Sequence, residues 1–231
     1  MQDESGKSMK LSLIALLLLV PAPSLGTIFG MTLMPERALG KVLFFASKLW
    51  ILFLPVFWRL VIDKEPLSIS RPKHGGFKVA AVLGLAISVI IFAVYFTLGR
   101  MLIDPAMVRD MAAETGLSNV YVYIGGAAYW ILINSVIEEY VWRWFVVEKC
   151  RDLMSSRAAI ATSAFLFTMH HIFAMQIYSW LVVTAASVGI FIGGAVWSWC
   201  YIKYRSIWPG YVSHAIVDIA VFVIGYLLIF G

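Results

Sequence analysis

Seven ionisable side chains in the C-terminal half of the chain fall inside long apolar stretches: Glu138, Glu139, Arg143, His170, His171, His214 and Asp218. A charged group inside hydrocarbon costs at least about 2.5–3.5 kcal/mol on insertion scales, so each of these is a functional candidate by default. Their chemistry suits the hydrolysis of a carbonyl compound. A carboxylate can take a proton from water, and an imidazole can donate a hydrogen bond to a developing oxyanion.

Helical geometry sorts the seven. Glu139 and Arg143 are four residues apart, stack on one face and can pair. Glu138 is rotated about 100° from Glu139, so one carboxylate is neutralised locally and the other is left free. His214 and Asp218 repeat the four-residue spacing, which lets the carboxylate fix the imidazole's tautomer. Phe167 and His171 share a face, and His170 points about 100° away from them. Each feature alone has a structural explanation: a helix-bridging ion pair, a packed histidine, an aspartate that only partners His214. A cluster on three helices at compatible depths favours one site. At 1.5 Å per residue, Glu138, His171 and His214 lie roughly 12–20 Å from helix ends that the charge pattern places on one side of a membrane.

The elements that must position these groups are membrane spans. Apolar residues make up 61% of the 231 and charged residues 13%, about half the charged share of a soluble domain. Uncharged runs are predicted to span at Leu11–Pro35, Val42–Trp58 (except Lys48, which can snorkel), Val79–Gly99 and Thr115–Ile137, the last continuing as helix to about Cys150. Ala158–Ile202 has room for two helices with a turn near Tyr178–Ser179, and Ser206–Gly231 is a last span. The expected fold is therefore all-α, one integral membrane domain over 1–231 with about seven spans. The candidate groups ride on the fourth, fifth and seventh helices.

The first span begins like a secretory signal, with Lys7 and Lys10 before a Leu-rich run and Pro21-Ala22-Pro23-Ser24 after it. Its uncharged run continues to Pro35, which predicts a retained helix kinked at the prolines. Gly26-x-x-x-Gly30 and Gly189-x-x-x-Gly193 have the spacing that lets helices approach closely. The polar segment Glu65–Gly76 carries no functional signature.

The net charge of +5 does not mark a nucleic-acid binder, because Lys and Arg flank apolar runs rather than forming a patch with aromatics. Twelve of the basic residues, from Lys7 to Arg205, fall on the side shared by the N-terminus and the even-numbered loops, against five on the other side. That predicts a cytoplasmic N-terminus and an outside C-terminus. Cys150 and Cys200 form no disulfide framework and read as small buried apolar residues.

The motifs resemble those of the CPBP family, the CaaX proteases and bacteriocin-processing membrane enzymes also called Abi proteins. E-E-x-x-x-R stands here as Glu138-Glu139-Tyr140-Val141-Trp142-Arg143, F-x-x-x-H as Phe167 to His171, and His followed by Asn or Asp four residues on as His214 to Asp218. The resemblance covers about Ile124 to Val223. It implies an intramembrane endopeptidase acting on a membrane-associated protein or peptide. In this reading Glu138 and His171 activate water, and His214 with Asp218 stabilises the tetrahedral intermediate. Glu139, Arg143 and Phe167 support them. The CaaX proteases have Asn where this chain has Asp218. An ionised carboxylate cannot donate to an oxyanion, so Asp218 either orients His214 or carries its own proton.

Glu, His and Asp also ligate zinc, but the chain has no His-Glu-x-x-His helix. The expectation is a glutamate mechanism without a cofactor, with zinc as the alternative. Two other readings compete with proteolysis: a non-catalytic scaffold or immunity protein on the same fold, and a proton-coupled transporter using the same groups as a relay. A prenylated C-terminus, a bacteriocin leader or the C-terminal anchor of a sorted surface protein would each serve as substrate. The compact form without appended domains points to a bacterial cytoplasmic membrane and favours the last two.

Overall fold

The computed structural model describes residues 2–34 and 37–231, with side chains from residue 8 onward except Met31. The predicted end of the first span at Pro35 lies outside the described residues. The described chain is helical and without strands. The first helix, α1, runs through Gln2–Leu19, Pro21–Thr27 and Ile28–Leu33, and Val20 between the first two keeps helical dihedrals. The other long helices are α2 (Ala38–Ile62), α3 (Phe77–Leu102), α4 (Val120–Arg151), α5 (Ser156–Ala174), α6 (Trp180–Tyr204) and α7 (Ile207–Phe230). All but α5 are long and apolar enough to cross a membrane. Helix α5 falls short in hydropathy because it carries Ser163, Thr168, His170 and His171. Its 19 residues still measure about 28 Å, close to the hydrocarbon thickness.

Between α3 and α4 lies a short peripheral helix, Pro105–Glu114. The sequence reading runs straight into a span at Thr115 and does not anticipate it. Its start signal is present in the chain: Asp104 accepts from the Ala106 N–H, and Pro105 takes the first helical position, where its missing N–H costs nothing.

Helix α4 is the axis of the bundle. Val141 to Val147 are all buried, packed by Leu19 of α1, Leu54 and Trp58 of α2, Phe167 of α5 and Trp197 of α6. Helix α1 is part of this core rather than an appendage, and Ser12 donates to Asp152 at 2.6 Å. Leu17, Phe45, Leu49 and Val89 face outward, as lipid-facing residues must. The glycine spacings divide. Gly26 and Gly30 let α1 lie against Ser47 and Phe44 of α2. Gly189 touches nothing, and the nearest atoms to Gly193 belong to Trp197 on its own helix. The second spacing therefore packs no helix. The close approach that α6 does make uses Gly194 against Ala164 of α5. On the other side of the bundle, Gly84 of α3 sits on the Ser213 backbone of α7.

The loop that the sequence left without a role fastens the start of α7. Ser206 caps that helix by accepting from the Trp208 N–H, and its hydroxyl donates to the Ser70 carbonyl at 2.6 Å. The Ser70 hydroxyl accepts from the Ile207 N–H, and the Trp208 indole donates to the Ile69 carbonyl. Cys150 and Cys200 are both buried and unpaired.

Candidate functional site

Glu138 ends a single α-helical turn, Ser135–Glu138, set between two π-helical stretches of α4, Trp130–Asn134 and Glu139–Val147. Such widened turns are rare and are frequent at functional sites. Asn134, one turn back, donates its amide to Glu138 Oε1 at 2.9 Å. The other oxygen, Oε2, faces His214 Nε2 of α7 at 3.6 Å. Glu138 keeps about a fifth of its side chain accessible, whereas neighbouring Glu139 is fully enclosed. The adjacent carboxylates thus diverge, as the 100° rotation requires.

Glu139 serves two partners. Its Oε1 lies 3.4 Å from Arg143 Nε and 3.1 Å from His214 Nδ1. A carboxylate oxygen only accepts, so Nδ1 carries the proton and the ring is locked with Nε2 toward Glu138. Trp197 of α6 stacks on this imidazole at 3.8 Å and 12°. The Arg143 guanidinium is enclosed between the rings of Phe167 and Trp197, at 4.7 and 5.2 Å. Gly210 is what allows Glu139 its place, because a Cβ there would meet Oε2 at 2.5 Å.

Asp218 lies one turn along α7, with Oδ1 3.7 Å from His214 Nε2. Its Oδ2 accepts from the Ser135 hydroxyl of α4 at 2.6 Å. His214 Nε2 is therefore flanked by two carboxylates. Bare lone pairs on all three would repel, so a proton sits among them. His171 donates from Nδ1 to its own helix at the Phe167 carbonyl, 2.8 Å away, which leaves Nε2 as an acceptor in the neutral ring. Its ring packs on Phe167 at 4.3 Å, and Phe167 meets His214 edge-on.

A cavity of about 320 Å³ opens beside Glu138. Its walls come from α1, α2, α4 and α5, and are apolar except for Glu138, Asn134, Lys48 and His170. The sequence reading missed three of these. Asn134 was legible, since it precedes Glu138 by one helical turn. His170, read as pointing away, reaches the cavity wall while His171 does not. Lys48, read as a snorkelling residue, faces the same cavity. Ser135 and Trp197 carry no motif that would have flagged them.

Among the described residues, no three His, Cys, Asp or Glu side chains stand where they could share a metal ion. Residues 120–220 match the family model described as type II CAAX prenyl endopeptidase Rce1-like. Neither a curated protein nor a solved structure matches the chain.

Proposed function

We propose that this chain, which belongs to the Rce1-like CAAX endopeptidase family through residues 120–220, cleaves membrane-associated proteins or peptides with a water activated by Glu138. The observation that carries the reading is the arrangement around the carboxylate. Glu138 is pinned at Oε1 by Asn134, faces a tautomer-locked His214 at Oε2 and opens on an apolar cavity. Water bound at Glu138 attacks the scissile carbonyl, and its proton passes to the carboxylate. As the C–N bond breaks, that proton goes to the leaving amine, and the enzyme is restored. His214, in its doubly protonated form with Nδ1 held by Glu139, donates from Nε2 to the oxyanion formed in between. Asp218 accepts from Ser135 and flanks the ring, which suits orientation and charge balance rather than donation. The family resemblance gives the water-holding role to His171, whose Nε2 is free to accept, while His170 is the histidine that lines the cavity.

The reading extends to placement. The chain sits in a bacterial cytoplasmic membrane with its N-terminus inside, and acts without a resident metal. Membrane proteomes of cells carrying wild-type protein or Glu138→Gln should differ in a small set of processed proteins, with the variant folded and abundant. Identical proteomes would sink the proteolytic reading. The metal content of the purified active protein separates the two chemistries, since both predict a dead Glu138 variant. Stoichiometric zinc that leaves and returns together with activity would overturn the metal-free mechanism.

A further inference from the structure

Lys48 is the cation that neither the family motifs nor the mechanism uses. It sits ten residues into α2 from Ala38 and fourteen from Ile62, about 15 and 21 Å from the helix ends. A four-carbon stem does not bridge either distance, so the ammonium stays at mid-membrane, away from headgroup phosphates. It faces the cavity that holds Glu138, in a wall otherwise built mainly from apolar groups such as Phe44, Ile51 and Leu52. Its ammonium lies over the Phe44 ring, 5.4 Å from the centroid.

Among the described residues Lys48 forms no ion pair. Glu138 lines the same cavity, but its two oxygens face Asn134 and His214. An ammonium kept at this depth needs an anion, and the remaining source is whatever enters the cavity.

We propose that Lys48 is a specificity-determining residue that binds a carboxylate of the substrate beside the scissile bond. This rests on the proteolytic reading and names the chemistry of what that site accepts. The carboxylate is either the free C-terminus or the side chain of an Asp or Glu. Both lie within reach, because a cavity of about 320 Å³ holds only a few residues between Lys48 and Glu138. Pairing of that carboxylate with Lys48 sets the register of the chain over Glu138.

The test is a binding titration on the full-length protein in nanodiscs, read through tryptophan fluorescence, since Trp130 and Trp142 line the cavity. Three probes separate the sources: N-acetyl-Leu-Leu-Leu as the free acid, the same peptide as its carboxamide, and N-acetyl-Leu-Glu-Leu carboxamide. At least one of the two carboxylate probes should bind wild-type protein about tenfold or more tightly than the neutral peptide. Whichever is preferred identifies the source. Lys48→Gln should reduce that preference to about twofold or less, and Lys48→Arg should keep most of it. Equal binding of all three probes to wild-type protein would overturn the proposal, and so would a preference that survives Lys48→Gln. The readout is binding, so its failure is distinct from a failure to find Glu138-dependent cleavage.

Discussion

Two adjacent glutamates with opposite surroundings make the sharpest contrast at the scale of single residues. Glu138 lines a cavity, whereas Glu139 is enclosed and balances both Arg143 and His214. Glu139→Gln should therefore lower the abundance and thermal stability of the folded protein. It leaves a buried guanidinium without its counter-charge, a loss of about 3–5 kcal/mol. Glu138→Gln should leave both nearly unchanged while removing cleavage. Melting curves of the two purified variants check this, and matched losses would make Glu138 structural. The divergence of the pair was legible in the sequence because it follows from the rotation of one helix. The bond from His214 to Glu139 was not, because it depends on where α7 lies against α4. Lys48 was misread for the same reason: its own helix gives its depth, but only the neighbouring helices show that it faces Glu138 rather than lipid.

Helix α7 shows how an element is set by residues far from the chemistry. It carries His214 and Asp218, and its start is held by the Glu65–Gly76 loop through Ser70, Ser206 and Trp208. Ser206 has two roles there, as helix cap and as donor to Ser70. Ser206→Ala should destabilise the protein by about 1–3 kcal/mol, from the lost cap and the carbonyl left unpaired. Ser70→Ala removes one acceptor and should cost less. Thermal unfolding of both variants in one detergent checks the order, and a silent Ser206→Ala would mean the loop does not hold α7. The sequence showed a polar loop between spans and a last span from Ser206, but not that they meet. Hydropathy marks where the chain leaves the membrane and says nothing of what a loop binds once outside. The peripheral helix at Pro105 was missed for a different reason. Its cap and proline are ordinary start signals, but a ten-residue helix carrying Arg109, Asp110 and Glu114 leaves no mark on hydropathy.

Counting spans for the whole molecule shows how the site and the fold constrain each other. By hydropathy the described residues hold six, which would put both termini on one side of the membrane. Helix α5 is the difference, and it falls short because it carries the polar groups that serve the site. It packs between α4 and α6, with Phe167 meeting Trp142 and Trp197 edge to face. The next helix, α6, is 25 residues long and runs on to α7 through a short link at Arg205, whose φ is +51°. A helix placed in this way crosses the membrane on packing rather than on composition, since its polar side faces protein instead of lipid. Seven crossings would put the termini on opposite sides, and the excess of Lys and Arg in the even-numbered loops then predicts an inside N-terminus. Fusing a reporter that folds only outside the cytoplasm to the C-terminus should give signal, and fusing it to the N-terminus should give none. A cytoplasmic C-terminus would mean that α5 does not cross. His171 could then not stand at the depth of Glu138, and the proposed water-binding pair would fall with the topology.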